Sequence, residues 1–345
     1  MSRLLAQAPR AWRLGALLGA GALVLASCGT QSAVPHVTGL PSIGISVPLH
    51  LGACTLSGSC IALGTTGSDT LPTRVGEYRE SNGTWSLLVV PNAPSALISS
   101  ASCLATQCLI GGFQASGNLL WNYNASSQSV VALSSLARGQ GIRALSCFSV
   151  SSCAAVISNG VNTVSQIAFS TDDGATWSAQ TPLPWSSSDS VTDITCTNAA
   201  TCMVSATSDT NSLVLEVTFD GGTTWTLRPT KSTWTSLTSL TCSKRDCVGL
   251  ASTGSKSYAV ITSTFGRRWK STALRAAANA LACTSIARCV IVGETSSSNP
   301  WFATDDAGQL TVAELKYVPS PLVSAACAKN VCIALGVSTV LAYRP

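Results

Sequence analysis

Seven closely spaced pairs of cysteines, recurring at an almost constant interval, constrain this sequence more than any other feature. The pairs are Cys54 and Cys60, Cys103 and Cys108, Cys147 and Cys153, Cys196 and Cys202, Cys242 and Cys247, Cys283 and Cys289, and Cys327 and Cys332. Four or five residues separate the members of each pair, and successive pairs begin 49, 44, 49, 46, 41 and 44 residues apart. Self-similarity at a period of roughly 45 residues marks an array or a propeller, whose repeats bury their apolar faces against one another.

Each repeat carries the same local pattern. An apolar run ends at the first Cys ("VTDITC", "LTSLTC", "IRALSC") and a second begins at its partner ("CMVSATS", "CVGLAST", "CAAVISN"). A turn of small polar residues follows, then a third run such as "LVLEVTF". Alternating Val, Ile, Leu and Thr between such turns reads as β-strand, and no helical period persists after the N-terminal segment. Seven repeats of four short strands predict an all-β, seven-bladed β-propeller of four-stranded blades. An open β-solenoid is the competing architecture, and the termini decide between them. The last repeat runs out after three strands, ending in "STVLAYRP", whereas a strand-like segment at 36–40 precedes the first pair. That segment is expected to supply the missing strand, so that an N-terminal strand closes the ring.

The cysteine pairs then bridge the mouth of the first hairpin in each blade. Zinc is the other use of paired cysteines, but it prefers about two residues between paired ligands and needs four ligands in one place. Here whole blades separate the pairs, and the chain has only two histidines, His36 and His50. One hairpin disulfide per blade is the expectation, stabilising by roughly 2 kcal/mol each in the chain-entropy model. No metal and no cofactor are expected.

Two of the third runs end in a common turn. Ser170, Asp172, Gly174 and Trp177 occupy one copy, and Thr218, Asp220, Gly222 and Trp225 the other, in the pattern S/T-x-D-x-G-x-T-W. These turns resemble the Asp-box (BNR) repeats of sialidases, sortilin-like receptors and photosystem II assembly-factor propellers. The resemblance implies a structural role: the carboxylate accepts backbone N–H groups across the turn, Gly takes a positive φ, and Trp packs between sheets. The segment 262–269 (TSTFGRRW) keeps the Gly and Trp but loses the Asp.

The N-terminus reads as an export signal. Arg3, Arg10 and Arg13 precede an apolar stretch from Leu14 to Leu25, too short to span a bilayer comfortably, which takes about 20 residues. Leu25-Ala26-Ser27-Cys28 resembles the lipobox of bacterial lipoproteins, which implies cleavage before Cys28 and acylation of its sulfur. The expected organisation is a signal peptide at 1–27, lipidated Cys28 with a tether at 28–35, and the propeller at 36–345. It implies a partner membrane reached through the lipid anchor, on the extracytoplasmic side of the bacterial cell membrane. Fifteen cysteines suit such an oxidising compartment. Setting the three leading arginines aside leaves 17 basic against 15 acidic residues, no footprint for nucleic acid.

Catalytic signatures are scarce. There is no H-E-x-x-H, no G-x-S-x-G and no phosphate loop, so no catalytic residue is assigned. Asp69, Asp189, Asp209 and Glu294 are loose acids, and Arg74, Arg138, Arg143, Arg228 and Arg275 are arginines near inter-strand loops. The cysteine turns and Asp turns share one face. The opposite face would display Arg138, Arg143, Trp185, Asp189, Lys231, Trp234 and Trp301 as a ligand surface, exposed Trp on a rigid scaffold being typical of recognition. A monomeric binding or assembly scaffold for a protein or glycan ligand is the expected function. A sialidase-like glycoside hydrolase with a degenerate site, or a purely structural repeat protein, are the alternatives. Cys28→Ala is expected to abolish labelling of the chain by a palmitate probe in cells; a variant that still labels would contradict the lipobox reading.

Overall fold

The structure is a computed structural model. It describes residues 38–39, 49–64, 74–79, 84–90, 97–114, 117–134, 136–137, 139–158, 164–187, 189–306, 309–315, 320–329, 331–336 and 339–343. The segment 1–27 expected to be a signal peptide, Cys28 with the expected tether, and Arg138 lie outside them.

Seven antiparallel sheets of four strands form seven blades, at 49–88, 97–132, 141–182, 190–227, 236–273, 277–314 and 322–343. The seventh is completed by Thr38–Gly39, which pairs with Leu341 and Ala342. The closing strand expected at 36–40 is therefore the outermost strand of the last blade. The first strand of every blade packs against those of its two flanking blades, blade 7 against blade 1 included, so the ring is closed.

A disulfide joins the first and second strands of each blade, Cys54 to Cys60, Cys103 to Cys108, Cys147 to Cys153, Cys196 to Cys202, Cys242 to Cys247, Cys283 to Cys289 and Cys327 to Cys332. In each case the two half-cystines face each other across the ladder.

The core lies in the seams between blades. In blade 3 the strand Cys153–Ser158 is buried throughout. Its odd-numbered residues Cys153, Ala155 and Ile157 join Leu109 and Leu120 of blade 2, whereas Ala154 and Val156 join Ile194 and Val204 of blade 4. A strand with apolar neighbours on both faces loses the hydrophobic alternation of a half-solvated strand, which explains the continuous small apolar runs after each second cysteine.

Removing residues 29–45 takes away the closing strand and leaves the edge at Val340–Tyr343 unpaired. That deletion is expected to lower Tm by on the order of 5 °C or more, while removal of 29–34 alone changes it little. Equal melting of the two proteins in calorimetry would contradict closure by this strand.

Candidate functional site: the central channel

The innermost strands share a departure from regular pairing. Upstream of the first cysteine, the first strand of every blade holds one more residue than the stretch it pairs with, so a β-bulge interrupts the ladder there. Bulges re-aim side chains and often lie beside functional sites. Four residues before that cysteine stand His50, Ser99, Arg143, Thr192, Thr238, Asn279 and Val323, one per blade, and all seven line the central channel, a cavity of about 520 Å³. In blade 5 the irregularity falls on Ser239 and Leu240, with Ser239 at φ 54.

The same strands are tied from blade to blade. At the bulge, Ser99 Oγ, Thr192 Oγ1 and Asn279 Nδ2 donate to the carbonyls of Ile142, Leu237 and Leu322 in the next blade. One residue further on, the roles reverse. Leu145 N–H donates to Ser100 Oγ at 2.9 Å, Leu240 N–H to Asp193 Oδ2 at 2.7 Å, Leu281 N–H to Ser239 Oγ at 3.2 Å and Gly52 N–H to Ser324 Oγ at 3.0 Å. Nearer the cysteines, the N–H groups of Cys147 and Cys196 donate to Ser102 Oγ and Ser146 Oγ, both at 2.9 Å. The seam between blades 1 and 2 is tied elsewhere: the fully buried Glu77 accepts from Tyr123 Oη and from Gln128 Nε2.

Among the described lining residues, Arg143 and His50 are the basic groups and Asp193 is the carboxylate. Arg143 is exposed to the channel; its guanidinium lies 4.7 Å from the centre of the Phe113 ring, and its Nε donates to Ser158 Oγ at 3.2 Å. Asp193 also accepts from Ile194 N–H at 2.8 Å. Burial pushes its carboxyl up to about 6, against the opposing pull of these backbone N–H groups.

The Trp surface expected on the face away from the cysteine turns does not form. Trp185, Trp234 and Trp301 are 9%, 2% and 2% exposed. Trp185 packs among residues of blades 3 and 4, Trp234 stands edge-on to Trp269 at the seam of blades 4 and 5, and Trp301 Nε1 donates to Ala277 O at 2.8 Å. The physical reason is area: seams lined by Ala, Val and Ser leave room for large rings, and burying an indole removes more apolar surface than any other side chain. Asp189 accepts from Ser186 N–H within its own turn, and the exposed Lys231 bonds Ser271 Oγ. Of the expected ligand residues, Arg143 lies in the channel. Arg275 and Glu294 line a second cavity, of about 930 Å³, between blades 5 and 6.

The two Asp turns are fully engaged internally. Asp172 accepts from Ser170 Oγ, Thr176 N–H and Thr176 Oγ1, and Asp220 likewise from Thr218 Oγ1, Thr224 N–H and Thr224 Oγ1. The threonine hydroxyls chiefly hold both carboxyls below the usual range, Asp220 at about 2. Gly174 and Gly222 sit at φ 82 and 84, and Trp177 and Trp225 pack into the seams.

No family model and no curated protein matches the chain. Solved structures do, at low identity. A structure of YCF48 bound to D1 peptide superposes with a TM-score of 0.60 at 14% identity, over 90% of this chain and 96% of that one. Virginiamycin B lyase from Staphylococcus aureus gives 0.64 at 9% identity, over 90% and 99%. A GH74 xyloglucanase from Xanthomonas campestris gives 0.61 at 10% identity, over 86% of this chain and 52% of that one. At such identities the likeness is one of fold.

Asp193 provides a measurable property of the channel. The folded group holds its proton up to about pH 6, whereas an exposed aspartate releases it near about 3.9. This contribution therefore favours the native state at low pH and is lost as pH rises through that window. Asp193→Ser keeps an acceptor for Leu240 N–H, as serine does in blades 2, 5 and 7, and removes the titration. Urea unfolding is expected to show the variant gaining on the order of 2 kcal/mol on wild type between pH 4 and pH 7; a constant difference would contradict it.

Proposed function

We propose that this protein is a lipid-anchored, extracytoplasmic binding propeller whose ligand, a protein or a glycan, engages the central channel. The observation that carries the reading is the inequality of the bulge positions. The backbone repeats seven times, yet His50, Ser99, Arg143, Thr192, Thr238, Asn279 and Val323 present six different kinds of side chain at equivalent places. A purely structural repeat has no need of such variety. Ser99, Thr192 and Asn279 serve the inter-blade ties, whereas Arg143 points an exposed guanidinium into the cavity from a stacked, preset position. Rigid presentation of a planar donor suits recognition of carboxylate or other oxyanion groups. That YCF48 is solved with a peptide on a propeller of this fold supports a protein ligand. A glycosidase needs two carboxylates facing across a cleft, and the described lining contributes Asp193.

The anchor rests on the Leu25-Ala26-Ser27-Cys28 string and the apolar lead before it. Fourteen disulfide-bonded cysteines fit the same address. Screening against glycan and peptide arrays, followed by titration of any hit, tests the site. Arg143→Ala is expected to weaken binding by 10-fold or more, roughly 1.4 kcal/mol, and Lys256→Ala, outside the channel, to leave it unchanged. A ligand whose affinity ignores Arg143→Ala and His50→Ala alike would place recognition elsewhere.

A further inference from the structure

The turn between the third and fourth strands of blade 5 departs from its counterparts in a way that changes its charge. Thr262 Oγ1 accepts from the N–H groups of Thr264 and Gly266, as Thr218 Oγ1 accepts from Asp220 and Gly222 in blade 4. Thr264 therefore stands where Asp220 stands, and its hydroxyl accepts from Arg268 N–H as the Asp220 carboxylate accepts from Thr224 N–H. Phe265 and Gly266 keep the left-handed pair of the turn, at φ 51 and 81. The backbone is conserved between the two blades while the carboxylate is gone, and Arg267 and Arg268 replace two threonines.

Against this turn lies a buried arginine. Arg228 is 7% exposed, and a Cβ on Gly266 would come within 3.3 Å of its Cγ. Its guanidinium rests 5.5 Å from the centre of the Phe219 ring, which is itself 53% exposed and 5.7 Å from Phe265. Arg228 Nε has no hydrogen-bond partner. Burial, and then the positive charge of Arg267, push the Arg228 pKa below the usual arginine value. A buried guanidinium left with an unsatisfied donor and facing a second cation is costly unless an anion joins them. Asp220, the nearest carboxylate in sequence, has both oxygens engaged in its own turn. The neighbouring cysteine turn adds exposed Lys244 and Arg245 against Asp246, so the local potential favours an anion.

We propose that the seam of blades 4 and 5 binds a tetrahedral oxyanion, phosphate or sulfate, between the Arg228 and Arg267 guanidinium groups. Two neighbouring guanidinium groups, Arg267 following the Gly266 that lies against Arg228, offer more donors than one carboxylate can accept and match the oxygens of a phosphate or sulfate. The group arrives either as the free ion or as an ester on a sugar. This site is separate from the channel, so its failure and that of the channel reading are independent.

The test uses the full-length protein in mild detergent, with thermal unfolding followed at constant ionic strength. Inorganic phosphate is expected to raise Tm saturably, by roughly 4 °C at 100-fold excess over Kd, with sodium acetate and chloride without effect. Glucose 6-phosphate distinguishes the sources: tighter binding than phosphate assigns the ester, equal or weaker binding the free ion. Arg267→Gln, on the surface, should abolish the response without loss of folding. Thr264→Asp restores the carboxylate found in blades 3 and 4, and is expected to raise Tm without phosphate while removing the phosphate dependence. A wild-type protein that does not respond, a response matched by acetate, or one that survives both variants would overturn the proposal.

Discussion

Around the axis of this propeller, the backbone of the innermost strand in blades 1 and 3 to 7 is bound not only by its own sheet but by side chains of the blade before it. Serine hydroxyls and the Asp193 carboxylate accept N–H groups from the next strand, while Ser99, Thr192 and Asn279 donate to its carbonyls. The sheet topology makes this possible: each innermost strand is the edge of its sheet, so alternate N–H and C=O groups point away from the ladder and toward the neighbouring blade. A buried backbone group without a partner costs about as much as a lost hydrogen bond, so the edge and the tie need each other. The disulfides and the closing strand then act on a ring whose inner edge is already satisfied.

That arrangement separates what the fold requires from what a ligand can use. Positions three residues before the first cysteine serve the ring, and there Ser recurs in blades 2, 5 and 7. The bulge positions vary in chemistry, as Arg143 illustrates. Asp193 stands between the two roles. A serine performs its tie in three other blades, yet here a carboxylate occupies the place at the expense of burial, and it is the negative charge nearest to Arg143 among the lining residues. The turns follow the same logic, since Asp172 and Asp220 satisfy a backbone that Thr264 satisfies without charge in blade 5.

Blade number, strand order, disulfide pairing and ring closure were all legible in the sequence, because each follows from the cysteine period and from the incomplete last repeat. The face that would bind was not. Trp185, Trp234 and Trp301 sit in polar-looking loops such as "PLPWSSSD", which read as exposed, but the residues that bury them belong to neighbouring blades far away in sequence. The bulge left a fainter trace. With the repeats aligned on the first cysteine, one column reads Leu51, Ser100, Ala144, Asp193, Ser239, Ala280 and Ser324, while the column before it is the varied one. Alternation alone could not reveal the extra residue, since a bulge shifts the period by one without changing composition.

Native-state hydrogen exchange tests the inter-blade ties most directly, at the amides of Gly52, Leu145, Cys147, Cys196, Leu240 and Leu281. If the ring is held as described, these amides exchange only through global unfolding and rank with the buried second strands, such as Cys153–Ser158 and Val331–Gly336. Exchange at the rate of the exposed turns, with the second strands still protected, would show that the blades are held without the side-chain collar and would contradict the account.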